Sequence, residues 1–215
     1  MGQDAATQAT PKGYWVAAVD VADDVGYGPY TKANGPVIGA HGGRFLVRGA
    51  PFTLMEGRAR SRNVVVEFPS LAAALAAYRD PAYQAAIALR RPYSTADLIV
   101  LEGGPAPAPA APAGGVPGYW VVRVSVRDPE RYKDYAALAT EATAAFNGTS
   151  LARGGRIEIV EGTARGRNVV TRFADVETAL ACYRSALYQR ALAIRQEVAE
   201  ADLLVIPGYD GPQPG

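Results

Sequence analysis

The sequence repeats itself. Shifted by 105 residues, GYWV at 13–16 meets GYWV at 118–121, and LVRG at 46–49 meets LARG at 151–154. EGRARSRNVV at 56–65 meets EGTARGRNVV at 161–170, and ALAAYRDPAYQ at 74–84 meets ALACYRSALYQ at 179–189. ADLIV at 96–100 meets ADLLV at 201–205. The register holds without a gap from residue 13 to 103, with 38 identities in 91 pairs. A unit of that length exceeds the roughly 20–50 residues of a solenoid repeat and suits a small domain. The expected organisation is a disordered tail at 1–12, a first domain at 13–103, a Pro/Ala-rich linker at 104–117, a second domain at 118–208, and a frayed tail at 209–215. Alternating Pro and Ala exclude a helix or a central strand from the linker and leave a semi-extended spacer.

Within one unit the hydrophobic period switches between strand and helix. In YWVVRVSV at 119–126, Trp120, Val122, Val124 and Val126 share one face, and Tyr119, Val121, Arg123 and Ser125 share the other. A helix follows from Asp128-Pro129. Its counterpart in the first unit carries Gly26, Gly28, Pro29, Gly35 and Pro36, so it is expected to be shortened or broken. A second strand is expected at 44–48 and 149–153. Residues 52–56 and 157–161 extend or bulge it, or form a short strand of their own. A third strand is expected at 62–68 and 167–173. Helices capped by Ser70 and Asp175 and a last strand at 98–101 and 203–206 complete each unit. The order is β-α-β-β-α-β, the ferredoxin-like plan of an antiparallel sheet with helices on one face. Such a sheet leaves its other face to be covered. Two units in one chain supply the cover, sheet facing sheet.

Composition narrows the chemistry. One cysteine, Cys182, excludes a disulfide framework. With His41 as the sole histidine, no structural zinc site can be assembled, and no metal is expected. A formal charge of +1 carries no nucleic-acid footprint. No run of about 18 apolar residues suggests a membrane span, and the N-terminus lacks the layout of a secretory signal. A cytoplasmic protein is the expectation. No GxSxG elbow or HExxH motif is present.

GYWV, GGRFLVRG at 42–49, the EG pair, RNVVVEFPS at 62–70 and AYRDPAYQ followed by Arg90 resemble the DUF1330 family, within the dimeric α+β barrel superfamily. The second copy is similar to a drifted member: NGTSL at 147–151 replaces GGRFL, and Ala174-Asp175 replaces Pro69-Ser70. The resemblance implies an α+β fold of two ferredoxin-like modules that form a dimeric α+β barrel within one chain. It implies no reaction, because that superfamily hosts monooxygenases, isomerases, cyclases and haem-handling proteins alike.

Candidate catalytic residues are His41, Arg48 and Tyr14. His41 is the only imidazole in the chain, the side-chain type suited to a general base. Arg48 and its twin Arg153 are expected either to pair with Glu56 or Glu161 or to fork onto a carboxylate ligand. The Tyr14 and Tyr119 hydroxyls are expected to face the space between sheets. Asp20, Arg44, Asn63, Glu67, Tyr119, Arg123, Arg153, Asn168 and Arg172 are candidate ligand-binding residues. Within this set, Asp20 aligns with Ser125, Ala18 with Arg123, and Glu67 with Arg172. The halves are thus chemically unequal, and Asp20, Glu67, Arg123 and Arg172 are expected near one another. The functional expectation is a small-molecule-binding protein or cofactor-independent enzyme (isomerase, cyclase or monooxygenase-like) acting on a small organic or acidic metabolite. Its alternatives are a non-catalytic binding or assembly module and a haem-related protein. No cofactor, nucleic acid or membrane is expected. The pairing is intrachain, with further homo-oligomers open.

Overall fold

The structure, a computed structural model, describes residues 10–104 and 115–214. The first module runs β1 (Gly13–Val21), α1 (Asp24–Ala40), β2 (Arg44–Arg48), β3 (Thr53–Glu56), β4 (Arg62–Phe68), α2 (Leu71–Arg79), α3 (Pro81–Arg90) and β5 (Ser94–Glu102). The second repeats this as β6 (Gly118–Val126), α4 (Pro129–Ala145), β7 (Thr149–Arg153), β8 (Ile157–Glu161), β9 (Arg167–Phe173), α5 (Val176–Arg184), α6 (Ala186–Val198) and β10 (Ala199–Pro207). Linker residues 105–114, and tail residues 1–9 and 215, lie outside the described residues.

Four strands of each module pair antiparallel in the ferredoxin-like order, β2-β4-β1-β5 and β10-β6-β9-β7. The remaining strand crosses over. β8 joins the first module's sheet beside β5, and β3 joins the second module's sheet beside β10. Two five-stranded sheets result, each holding one strand of the other module.

Among the described residues the expected barrel is not formed: both sheets stay open, with β2 and β8 at the edges of one and β3 and β7 at the edges of the other. The reason lies in the corners. Closure needs β2 to pair with β3, and β7 with β8. Instead Gly49 and Gly154, at φ of +71 and +65, turn the chain across to the opposite sheet before the next strand begins. The exchanged segments are therefore separate short strands and not extensions of β2 and β7.

Alternation along β1 and β6 builds three cores. Trp15, Ala17 and Val19 point under α1, α2 and α3. Trp120, Val122 and Val124 do the same in the second module. The indole N–H of Trp15 donates to Ala74 O at 2.8 Å, and that of Trp120 to Ala179 O at 3.1 Å. Tyr14, Val16, Val65, Ile99 and Leu101 face Tyr119, Val121, Val170, Leu204 and Ile206 in a packed layer between the sheets.

Helix α1 departs from expectation, since it runs 17 residues through Pro29 and Pro36. Both prolines are exposed, as are Val25 and Lys32, whose carbonyls lose their helical partners. Those carbonyls fall on the solvent-facing side, and the buried stripe of Tyr27, Tyr30, Asn34, Val37 and Ile38 holds the helix in place. Ser70 and Asp175 cap α2 and α5 through Ala73 N–H at 3.1 Å and Thr178 N–H at 2.7 Å. The 209–214 segment is docked and not frayed. Tyr209 N–H donates to Leu46 O at 2.9 Å, and the Gln213 amide bonds the Phe45 N–H and C=O at 2.8 and 3.0 Å.

Candidate functional site

The repeated Glu-Gly pair holds the modules together. Each glutamate follows its exchanged strand into the other module and meets a buried helical arginine. Glu161 lies 2.5 Å from Arg90, and Glu56 pairs with Arg195. Neither glutamate reaches Arg48 or Arg153, contrary to one expectation for those arginines. The glycines then slide under an aspartate of the opposite sheet. A Cβ on Gly57 would stand 2.2 Å from Asp202 Oδ1, and one on Gly162 2.2 Å from Asp97 Oδ1. Each aspartate accepts from the loop beyond its glycine, Asp202 from Arg58 N–H at 3.0 Å and Asp97 from Thr163 N–H at 2.9 Å.

These two loops frame a cleft of about 570 Å³ between the sheets. Val16 and Ile99 form its floor, Ala18, Asp20 and Asp97 one wall, and Arg123, Asn168 and Asp202 the other. Arg58, Arg60, Thr163 and Arg165 close the rim. Arg60 donates to Asp97 and Asp20, both at 2.7 Å. Arg165 donates to Asp202 at 2.7 and 3.2 Å and to Ser125 Oγ at 3.0 Å. These bonds raise the pKa of both arginines. Burial pushes Asp97 up, but the bonds from Arg60 and Thr163 outweigh it and hold its carboxyl below the usual range.

Arg123 is different. Among the described residues its only side-chain hydrogen bond goes to Asn63 Oδ1 at 3.3 Å, and no carboxylate lies within ion-pair distance. Burial lowers its pKa. Its twin position holds Ala18, so nothing reaches back to Asn168, and Asn168 Oδ1 is buried without a partner among the described residues. Ala18, where the other half has Arg123, lines the cleft and leaves its side of it open. The cleft also outsizes the cavities beneath α4 and α1, about 50 and 40 Å³, which hold little more than water.

The candidate residues separate. Asp20, Asn63, Arg123 and Asn168 gather at the cleft. Tyr14, Arg44, Glu67, Tyr119 and Arg172 gather at the other end of the sheets: Glu67 accepts from Arg44 at 2.9 Å and from the Tyr14 hydroxyl at 3.0 Å, and Arg172 lies within electrostatic reach of both tyrosines. Tyr14 opposes Glu67 in the register, and Asp20 stands six residues further along β1, about 20 Å away. The four unequal positions therefore do not form one site. His41 caps α1 and bonds Asp80 at 3.0 Å, away from the cleft and from both cavities. Arg48 donates to the Tyr209 hydroxyl at 3.0 Å and lies over the Phe45 ring. Arg153 donates to Ala136 O at 3.0 Å. Arg58, Thr163, Asp97 and Asp202 are cleft residues that the sequence reading missed. Asp97 and Asp202 are visible in the sequence as a repeated aspartate inside an apolar strand, and Arg58 as an arginine whose twin is Thr163.

The fold and cleft define a tandem two-module α+β protein whose halves share strands. The chain belongs to the family described as "Domain of unknown function (DUF1330)", matched at residues 12–104 and 117–209. Comparison with curated protein sequences finds no match. Among solved structures, the chain is similar to an anthrone oxidase-like protein (TM-score 0.55, 9% identity, covering 96% of this chain and 94% of that one). It is also similar to a dye-decolorizing peroxidase from Bacteroides thetaiotaomicron VPI-5482 (TM-score 0.53, 8% identity, covering 98% and 96%). At such identities the likeness is one of fold. Among the described residues, no group of three or more His, Cys, Asp and Glu is placed to hold a metal ion, and no helix is long and apolar enough to cross a membrane.

Proposed function

We propose that the protein binds a small organic anion in the cleft between its sheets and does not transform it. The observation that carries this reading is Arg123, a guanidinium on the cleft wall whose one partner among the described residues is an amide oxygen. A planar cation with free donors recognises carboxylate or phosphate. Binding is favoured over catalysis because the cleft carboxylates Asp20, Asp97 and Asp202 are each bonded to arginine, and His41 is bonded to Asp80 elsewhere. Among the described residues, no group near the cleft is left to move a proton near neutral pH.

The test is thermal denaturation of the full chain at low ionic strength with small carboxylates and inorganic phosphate. A ligand at about 100 times its Kd adds about 2.7 kcal/mol to the stability. Arg123→Ala is expected to fold with stability within about 1 kcal/mol of the parent, since it removes a poorly paired cation and opens room for water at Asn63. It is expected to lose the ligand-induced rise in melting temperature. An Arg123→Ala protein that responds to these anions as the parent does contradicts the proposal.

A further inference from the structure

We infer that the ligand is a small zwitterion, a carboxylate that also carries a primary ammonium group, held across the cleft with its anionic end on Arg123 and Arg58 and its cationic end on the Asp20 side. This rests on the reading of the cleft as an anion site and adds the second half of the ligand.

The two halves differ at twin positions around the cleft. The framework is the same on both sides. Arg60 bonds Asp97, and Arg165 bonds Asp202. The loop N–H of Thr163 caps Asp97, and that of Arg58 caps Asp202. Ala18 pairs in register with Asp97, and Arg123 with Asp202. Three cleft positions break this equivalence, and all three break it in the same electrical sense. Arg123 stands where the other half has Ala18, Arg58 where it has Thr163, and Ser125 where it has Asp20. On the Asp202 side the lining charges are Arg58, Arg123 and Arg165 against Asp202, a net +2, which Glu200, 3.6 Å from Arg165 where the other half has Thr95, lowers to +1. On the Asp97 side they are Arg60 against Asp20 and Asp97, a net −1.

Asp202 forms no direct ion pair with Arg58 or Arg123, because its oxygens are taken by the Arg165 guanidinium and by the Arg58 backbone N–H. Arg60 is shared between Asp97 and Asp20, and the second Asp20 oxygen accepts from Ser61 N–H at 2.9 Å; one guanidinium against two carboxylates, one of them 54% exposed, leaves this wall net negative toward the opening. The walls belong to packed sheets, about 10 Å apart, and the Arg123 side chain crosses from its own sheet to Asn63 of the Asp20 sheet, so its guanidinium stands at the foot of the negative wall. A ligand with both charges a few Å apart satisfies both walls. A dianion meets one wall and is repelled by the other.

The experiment is calorimetric titration of the full chain with 4-aminobutyrate, butyrate and succinate at low ionic strength. The parent is expected to bind 4-aminobutyrate about tenfold more tightly than butyrate, the equivalent of one well-placed charge contact, and succinate no better than butyrate. Asp20→Ser installs the residue the twin position already carries, where Ser125 bonds Arg165, so the fold has a local precedent for it. That variant is expected to bind 4-aminobutyrate and butyrate equally, with butyrate affinity retained. Arg58→Ala is expected to weaken both ligands alike. Succinate binding more tightly than 4-aminobutyrate overturns the inference, as does an unchanged 4-aminobutyrate-to-butyrate ratio in Asp20→Ser. Either outcome leaves the anion site standing, whereas failure of all three ligands to bind the parent removes both.

Discussion

Gly57 and Gly162 carry a constraint that the repeated Glu-Gly pair announces without explaining. Both sit at positive φ, +69 and +64, with an aspartate oxygen where a Cβ would stand. Ala at either position is expected to cost about 2 kcal/mol or more, from backbone strain together with the displaced carboxylate. Urea denaturation measures it, and a cost below about 0.5 kcal/mol contradicts the packing described. Asp97 links the same corner to pH. Its carboxyl is held below the usual range in the folded state, so the charged form stabilises the fold. That contribution is complete above the ordinary aspartate pKa of about 3.9 and is lost as pH falls through the lower folded value. Asp97→Asn is therefore expected to be less stable than the parent at pH 7, with the gap closing below about pH 4. A gap that widens in acid has the wrong sign for this account. Cys182 needs no functional role: burial pushes its thiol up to about 12, and it fills a space that Ala77 fills in the other half.

At the scale of elements, the strands and capped helices are legible in the sequence because their periods are strong and each is written twice. Two features are not. Pro29 and Pro36 argue against a continuous α1, yet both fall on its water-facing side, and the tertiary contacts of Tyr27, Tyr30 and Ile38 outweigh the lost helical bonds. The strand exchange is illegible for a different reason. The residues at 53–56 and 157–161 state a short strand but not which sheet it joins; that follows from the path of the connection after β2 and β7, where Gly49 and Gly154 sit at positive φ. The exchange also explains why Arg90 and Arg195 recur, since each is a buried helical cation whose counter-charge arrives from the other module. Glu161→Ala leaves Arg90 buried and uncompensated, with an expected cost of about 3–5 kcal/mol. A loss below about 1 kcal/mol in chemical denaturation contradicts a structural role for this pair.

The whole molecule is one unit written as two sentences. Each module lends a strand, a glutamate and a capping loop to the other, and the layer between the sheets is apolar through its middle. A protein limited to residues 10–104 lacks β8 and the Glu161 partner of Arg90, and exposes Tyr14, Val16, Val65 and Leu101. It is expected to self-associate or remain unfolded in size-exclusion chromatography with light scattering, and a stable folded monomer contradicts the interdependence. Duplication let one half keep Arg123 while the other kept Ala18, and aligning the two repeats is enough to expose that inequality. Its placement is not legible there, because positions along a strand alternate faces but do not reveal that Glu67 and Asp20 lie at opposite ends of the sheet. The most direct test of the cleft as the binding site is a crystal structure of the full chain grown with 4-aminobutyrate. The carboxylate is expected against Arg123 and the ammonium beside Asp20. A ligand ordered instead beneath α1 or α4, with the cleft filled only by water, contradicts it.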